Sequence, residues 1–343
     1  MLNVGIIGLG FMGMTHLKIY TDHPGANLVA VADTVKKRLK GDLSGIQGNI
    51  LGPGETFDFS DIKTYDTVDG ILDDPEVDLV SICLPTFLHA ENVIKALEKG
   101  KHVLCEKPMA LSETDLDAML AAERSAPGRL MTGQCLRFAP EYHIAREIVQ
   151  TGELGSFRGA RFERRSALPT WGGWLRDETK SGGAIIDLSI HDIDFVQYLL
   201  GVPQSVLAVG HADLEKGFDY YQGLLRFGDA CVNIEGTWYH EGDFPFNAAF
   251  DIICDDGTVS FRLGHKKPLT IYRANGHTDK PHIDSRDGYY NEIDYFLEHL
   301  ESGREIERCT PRQTACSVRL GLLLKRSRAE GGKELAVPTD WQT

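Results

Sequence analysis

The chain reads as an α/β unit followed by an α+β unit: a doubly wound parallel sheet, then an open-faced, mostly antiparallel sheet. Three observations predict this. The apolar run Leu2–Ile7 leads straight into Gly8-Leu-Gly10-Phe-Met-Gly13 and then a helical segment to Tyr20. A second apolar run, Leu28–Ala32, ends at Asp33, about twenty residues beyond Gly13. Past about residue 157 the alternation of strand and helix gives way to short strands. Turn signals such as Phe227-Gly-Asp229 and Asp255-Asp-Gly257 separate them.

The first stretch is G-x-G-x-x-G in its required context, with a strand before and a helix after. Gly8 permits the tight turn, Gly10 lets a pyrophosphate approach the backbone, and Gly13 lets helix and strand pack closely. Phe11 and Met12 belong to the same turn, where the helix N-terminus offers N–H donors to phosphate. Asp33 stands where a carboxylate grips the adenosine ribose hydroxyls. It favours NAD, because a carboxylate repels a 2′-phosphate. Lys36, Lys37 and Arg38 follow closely and keep NADP within reach, although the same three also read as a solvated helix turn. Residues 41–60 are glycine-rich and irregular, an inserted surface loop.

Ile62–Thr67 is expected as the third strand, and Asp78–Leu84 as a buried fourth strand ending before Pro85-Thr86. The helix His89–Lys99 is closed by Gly100. Lys101–Cys105 is a fifth strand ending at Glu106-Lys107-Pro108, Ser112 caps a helix to about Ser125, and Leu130–Leu136 is a sixth strand. Open parallel sheets bind ligands beyond the carboxyl ends of their strands. Gly8, Asp33, Leu84, Thr86 and Lys107 all fall at such ends. After the helix Pro140–Gln150, strands are expected at Phe157–Ser166, Ser205–Ala212, Tyr220–Phe227, Cys231–Tyr239, Asn247–Cys254, Val259–Leu263 and Leu269–Arg273. Tyr289–Ser302 and Pro311–Arg328 read as closing helices. The expected division is 1–138 for the dinucleotide-binding domain and 139–343 for the substrate and oligomerisation domain. One helix, 183–200, interrupts the second sheet's strands and packs on one face of that sheet. The other face is left for a subunit interface in a homodimer or homotetramer.

On that helix Ile186, Ile190, Ile193, Phe195 and Tyr198 make a broad apolar side. Asp187 and His191 are spaced i, i+4 and so share a face. A carboxylate beside an imidazole fixes its tautomer and raises its basicity, although such a pair also serves simply to tie a helix down. A net charge of −14 argues against nucleic-acid and anionic-membrane partners. No apolar run approaches the ~18 residues of a spanning helix. Seven cysteines with no C-x-x-C pair point to reduced thiols in the cytoplasm, and the scattered histidines and cysteines fit no metal spacing, so no metal is expected.

Gly8–Gly13, Asp33, Glu106-Lys107-Pro108 and Ser181-Gly-Gly…Asp187-x-x-x-His191-Asp-x-Asp194 occur in this order. Together they resemble the glucose-fructose oxidoreductase / inositol dehydrogenase / MocA family along nearly the whole chain. The resemblance implies a Rossmann domain and an open-faced sheet domain that interconvert secondary alcohols and ketones of sugars and polyols with NAD or NADP. It implies Lys107, Asp187 and His191 as the catalytic group, with Thr86, His89 and Glu106 beside the nicotinamide. The chemistry of the residues agrees: His191 suits a general base, Asp187 its orienting partner, and Lys107 a cation that holds the substrate oxygen. Trp171 and Trp174 suit a sugar ring or the packing of their own loop. Arg137 and His240 complete the candidate substrate contacts. Cys135-Leu136 before Arg137-Phe138 departs from the family, so inositol contacts do not carry over. An NADPH-dependent keto-sugar reductase, an NAD-dependent glycosidase and a non-catalytic NAD sensor are the alternatives.

Overall fold

The computed structural model describes residues 1–341 apart from 49–53, 170, 171, 217, 241 and 243. The chain forms two compact units. One comprises Met1–Gln134 and Tyr289–Ala315, the other Cys135–Gly288 and the residues from Cys316 onward. A single cut after residue 138 does not contain the return of 289–315 to the first unit.

The first unit is built on β1 (Leu2–Ile7), β2 (Ala26–Ala32), β3 (Lys63–Tyr65), β4 (Leu79–Ile82), β5 (His102–Cys105) and β6 (Leu130–Thr132), with α1 (Phe11–Asp22), α2 (Val68–Leu72), α3 (His89–Glu98) and α4 (Glu113–Ser125) between them. The sheet has six strands in the order β3-β2-β1-β4-β5-β6, all parallel. Val4, Ile6, Leu79, Val80, Ile82, Val103 and Leu104 are fully buried, as expected of a sheet covered on both faces. The strand order reverses between β1 and β4, which makes a topological switch point there. Register carries the consequence: Ile7 pairs with Ala32 and Ile82, and Ile82 with Cys105. Four strands therefore end level, and Gly8, Asp33, Cys83 and Glu106 follow side by side. Ser112 caps α4 by accepting the Asp115 N–H at 3.1 Å. The sixth strand is shorter than expected, because the chain leaves the sheet after Thr132 and turns as a 3-10 helix over Cys135–Arg137.

The second unit carries α5 (Pro140–Thr151), β7 (Phe157–Ala167), α6 (Glu178–Ser181), α7 (Ile190–Leu200), β8 (Ser205–Asp213), β9 (Phe218–Phe227), β10 (Ala230–His240), β11 (Asn247–Cys254), β12 (Gly257–Arg262), β13 (Leu269–Arg273), β14 (Thr278–Asp279) and β15 (Leu335–Ala336). The helices α8 (Gly288–Ser302) and α9 (Pro311–Ala329) follow the strand run. The sheet has nine strands in the order β14-β13-β12-β11-β7-β10-β9-β8-β15; β7 and β10 pair in parallel and the other pairs are antiparallel. One face is covered: Phe162 and Phe250 on strands pack with Phe195 of α7 and Tyr142 of α5, the Tyr142 and Phe195 rings meeting edge to face at 4.8 Å. The other face carries the ion pairs of Arg161 and Arg165 with Glu163 and Glu235, flanked by the exposed Val209, Ile253 and Tyr272.

The expected single helix over 183–200 is two pieces, preceded by the short α6. Gly182 and Gly183 both take positive φ, 79° and 74°, and end α6. A π-helical turn runs Ala184–Leu188, closed by the Ser189 N–H on the Ala184 carbonyl at 2.9 Å, and α7 starts only at Ile190. No helix among the described residues is long and apolar enough to cross a membrane.

Candidate active site

The glycine turn is shaped to admit a phosphate. Gly8 has φ 91°, in the left-handed region that favours glycine. A Cβ on Gly13 would lie 1.9 Å from the Gly8 carbonyl oxygen, so helix and turn touch backbone to backbone. A Cβ on Gly10 would meet nothing within 4 Å, which leaves its backbone open to approach. No side chain caps α1 and no acid occupies its first turn, so its N-terminal N–H groups and positive dipole end are available to an anion. Phe11 and Met12 are half-buried at that end. The Phe11 ring lies against Gly48, where a Cβ would come within 2.0 Å of it; the described part of the inserted loop thus covers the start of α1. Leu84 borders the turn, its Cδ2 3.1 Å from where a Gly8 Cβ would be.

Asp33 closes the turn from β2. Its Oδ2 accepts the Leu9 N–H at 2.8 Å and its Oδ1 the Val35 N–H at 2.7 Å. Arg38 Nη1 donates to Oδ2 at 3.2 Å. The carboxylate is therefore fixed beside the glycine turn, with lone pairs left for ribose hydroxyls. These residues fit a dinucleotide such as NAD.

At the end of β5, Glu106 is buried and accepts from His16 Nε2 at 3.0 Å and from the Lys107 N–H at 3.1 Å. Burial pushes the Glu106 pKa up, the His16 hydrogen bond and charge pull it down, and the net direction is down. His16 is fully buried, and its Nδ1 meets Ser81 Oγ at 2.6 Å. Burial works against its charge. The Cys83 sulfur and the Glu106 carboxylate outweigh that and hold its pKa well above the ordinary value. Glu292 of α8 joins this group: one potential ligand atom each from His16, Glu106 and Glu292 lies within 4.8 Å of the others. A protonated imidazole supplies the positive charge that two neighbouring carboxylates require.

His89, expected beside the nicotinamide, is held between two backbone carbonyls. Its Nδ1 faces the Pro108 carbonyl and its Nε2 the Leu84 carbonyl, both at 2.8 Å. Burial lowers its pKa, the Leu84 and Pro108 carbonyls pull it up, and the net direction is down. Both ring nitrogens lie within hydrogen-bonding distance of a backbone carbonyl, so the His89 ring ties the Leu84 and Pro108 segments together. Thr86 is buried at the start of the 3-10 turn Thr86–Leu88. Lys107 itself is half-buried.

In the second unit the polar residues of Asp187-x-x-x-His191-Asp-x-Asp194 divide into two kinds. Asp192 takes two hydrogen bonds from Arg164 of β7, at 2.8 and 2.9 Å. Asp194 takes two from Arg137, at 2.7 and 2.8 Å, and one from Ser317 at 2.8 Å. Both aspartates are buried, whereas Asp187 and His191 keep accessible surface. Asp187 sits in the π-helical turn and His191 in the first turn of α7. The N-terminus of that π turn is held by Asp219, which accepts the Ala184 N–H at 2.7 Å and an Arg328 guanidinium bond at 2.5 Å. Gly183 has no room for a side chain, since a Cβ would lie 2.5 Å from Asp219 Oδ2. Ser181 Oγ accepts the Gly183 N–H at 3.1 Å and completes the Ser-Gly-Gly bend.

Arg137 requires a correction. Its side chain has 0% exposure, bonded to Asp194 and to Gln197 Oε1 at 3.0 Å, so it is a structural cation and not a substrate contact. Trp174 packs on the cluster of Leu175, Ala184, Leu188, Leu214 and Trp238, the role of a loop residue packing on its own unit. Trp171 and the side chain of His240 lie outside the described residues. His16, Ser81, Asp219 and Arg328 went unmarked in the sequence. His16 alone left a signal there, an ionisable residue next to the apolar Leu17 and one turn before Tyr20 in α1.

Residues 2–134 match the model of an oxidoreductase family with an NAD-binding Rossmann fold, and residues 142–260 match the GFO/IDH/MocA C-terminal domain. The chain is 31% identical over 316 residues to the myo-inositol 2-dehydrogenase of Thermotoga maritima, spanning 88% of this chain and 89% of that protein. To the D-glucoside 3-dehydrogenase of Escherichia coli it is 33% identical over 296 residues, spanning 81% and 79%. A solved levoglucosan dehydrogenase in complex with NADH and L-sorbose shares the fold, with a TM-score of 0.82 at 23% identity and 98% and 99% of the two chains covered. The glycine turn closed by Asp33, the two sheets and these likenesses agree: the chain belongs to the GFO/IDH/MocA oxidoreductase family, and its first unit is an NAD-binding Rossmann fold.

Proposed function

We propose that this chain oxidises a secondary alcohol of a sugar, polyol or sugar derivative with NAD. One observation carries the reading. Of the polar residues in the Asp187–Asp194 motif, Asp192 and Asp194 are locked to arginines, and Asp187 and His191 keep accessible surface. A motif that only anchored a helix would need no such division. The named activities of relatives, on inositol and on glucosides, support the substrate class.

Bound NAD supplies the hydride acceptor. Gly8, Gly10 and the N–H groups from Phe11 to Gly13 hold its pyrophosphate, and Asp33 takes the ribose hydroxyls. Lys107 holds the substrate oxygen and stabilises negative charge developing on it. His191 removes the hydroxyl proton, and Asp187 orients that imidazole. The test is a panel of sugars, glycosides and inositols incubated with NAD and read as absorbance of the reduced cofactor. Reduction with at least one member is expected. Binding of NAD with no reduction across the panel, but cleavage of a glycoside, would replace the dehydrogenase with the glycosidase reading.

Arg38 on Asp33 favours one second reading, an NADPH-linked reduction of a keto-sugar, because a guanidinium there also suits a 2′-phosphate. Asp33→Ala decides between them. The variant loses the acceptor for the ribose hydroxyls, the repulsion of a 2′-phosphate and the tie to Leu9. NAD affinity is expected to fall by about tenfold or more, roughly one charge-assisted hydrogen bond or two, and the gap to NADP to narrow. Unchanged NAD affinity in a fluorescence titration would place Asp33 outside the site. The chain is further read as a cytoplasmic homodimer or homotetramer. All seven cysteines are free thiols, and the outer face of the second sheet bears Val209, Ile253 and Tyr272. A monomer in sedimentation velocity, or a periplasmic fraction of the expressed protein, would remove the respective part.

A further inference from the structure

Lys107 stands between two groups that buried histidines hold, the Glu106 carboxylate and the Pro108 carbonyl. Before it, the Glu106 carboxylate is pinned by His16 Nε2 at 3.0 Å and accepts the Lys107 N–H on its other oxygen at 3.1 Å. After it, the Pro108 carbonyl faces His89 Nδ1 at 2.8 Å. We propose that His16 is a positioning residue for Lys107, acting through Glu106.

The chemistry of the three groups sets the direction of each bond. An ionised carboxylate only accepts, so Nε2 carries the proton toward Glu106. Ser81 Oγ, at 2.6 Å from Nδ1, fixes the ring plane from β4. Tyr20 lies edge-on to the ring at 6.1 Å, and Glu292 approaches from α8. A ring so enclosed fixes one rotamer of Glu106, and that rotamer fixes the Lys107 amide. Burying an imidazole completely is costly compared with a leucine at the same position of α1, so packing alone does not explain it. His16 also lies three residues past Gly13, on the helix that begins at the phosphate turn. One rigid element therefore sets both the pyrophosphate seat and the root of the lysine. A displacement of about 1 Å at a reacting group costs roughly 10²-fold in rate.

The inference rests on the reading of Lys107 as the group that holds the substrate oxygen, and the test separates the two. Wild type, His16→Ala, His16→Gln, Lys107→Ala and the double variant His16→Ala/Lys107→Ala are compared with the panel member that turns over. His16→Ala is expected to lower kcat by roughly 10–100-fold, with KM and NADH affinity changed by no more than about threefold. In the double variant it lowers kcat no further than Lys107→Ala does, because its effect passes through Lys107. His16→Gln, which keeps an N–H within reach of Glu106, restores most of the rate. In the cofactor-free protein, hydrogen exchange of the peptide containing the Lys107 amide is expected to quicken about tenfold in His16→Ala and to stay near wild type in His16→Gln. Where the alanine variant does not fold, His16→Asn, too short to reach Glu106, carries the same expectation. Normal kcat and normal exchange in a variant with lowered melting temperature would reduce His16 to a core residue. Losses that multiply in the double variant would show that it acts apart from Lys107. Near-normal turnover of Lys107→Ala would instead sink the catalytic reading of Lys107, and the exchange result would still report on the His16–Glu106 tie.

Discussion

Lys107→Ala and His191→Ala are each expected to lower turnover by roughly 10²–10⁴-fold, the usual contribution of a positioned acid–base or charge-stabilising group. NAD affinity should stay within a few-fold of wild type in both. The reason lies in where the chain spends its residues. The glycine turn and Asp33 hold the cofactor through Gly8, Gly10, the N-terminus of α1 and one carboxylate, and none of these contacts involves Lys107 or His191. Lys107 follows Glu106 at the level end of β5, between a Glu106 carboxylate held by His16 and a Pro108 carbonyl held by His89. His191 opens α7, whose neighbouring aspartates are locked to Arg164 and Arg137, so its helix cannot drift. Steady-state kinetics beside an NADH fluorescence titration reads both quantities. Replacing the imidazole should also remove the acid limb of the pH–rate profile, because the titrating base is gone. Near-normal turnover in both variants would withdraw the catalytic assignment. A loss of NAD binding in parallel with turnover would move the residue concerned into the cofactor seat.

The dinucleotide turn was legible because its signal is local. Gly8, Gly10, Gly13 and Asp33 are fixed by spacing along two neighbouring strands, and apolar runs mark those strands wherever a sheet is buried on both faces. The strand-end residues could be placed for the same reason, since the end of each apolar run marks where its strand stops. What was not legible depends on partners distant in sequence. Nothing near Arg137 shows that Asp194, fifty-seven residues on, will take it, and an arginine is solvated more often than buried. Nothing around His89 shows the two carbonyls, nineteen and five residues away, that its ring nitrogens face. The π turn at Ala184–Leu188 is set by Asp219 at its N-terminus and by two glycines of positive φ, and a plain i, i+4 pattern passes over it. β14 and β15, two residues each, are too short to carry an alternation at all.

Arg137→Met should destabilise the second unit by about 3–5 kcal/mol, the cost of leaving one member of a buried ion pair without the other. Arg137 and Asp194 both have side chains at 0% exposure, and the guanidinium meets the carboxylate through two parallel bonds at 2.7 and 2.8 Å. Methionine fills much of the arginine stem's volume, so the expected loss is electrostatic and not a cavity effect. The Asp194 carboxylate would keep the Ser317 hydroxyl, a single neutral donor, in place of a cation. Gln197 would lose its partner as well, and Tyr198 the guanidinium that stacks 4.7 Å from its ring centre. Urea unfolding followed by tryptophan fluorescence reports on this unit, because all four tryptophans of the chain fall in it. Adding Asp194→Leu should recover a large part of the loss, since replacing a whole buried ion pair by apolar groups is often neutral or stabilising. Recovery in the double variant, with NAD affinity unchanged throughout, identifies the pair as a tie between the 3-10 turn at Cys135–Arg137 and α7. The opposite pattern, stability within about 1 kcal/mol of wild type but turnover abolished, would return Arg137 to the substrate site, since surface arginines away from such pairs change stability by only about 0.5 kcal/mol.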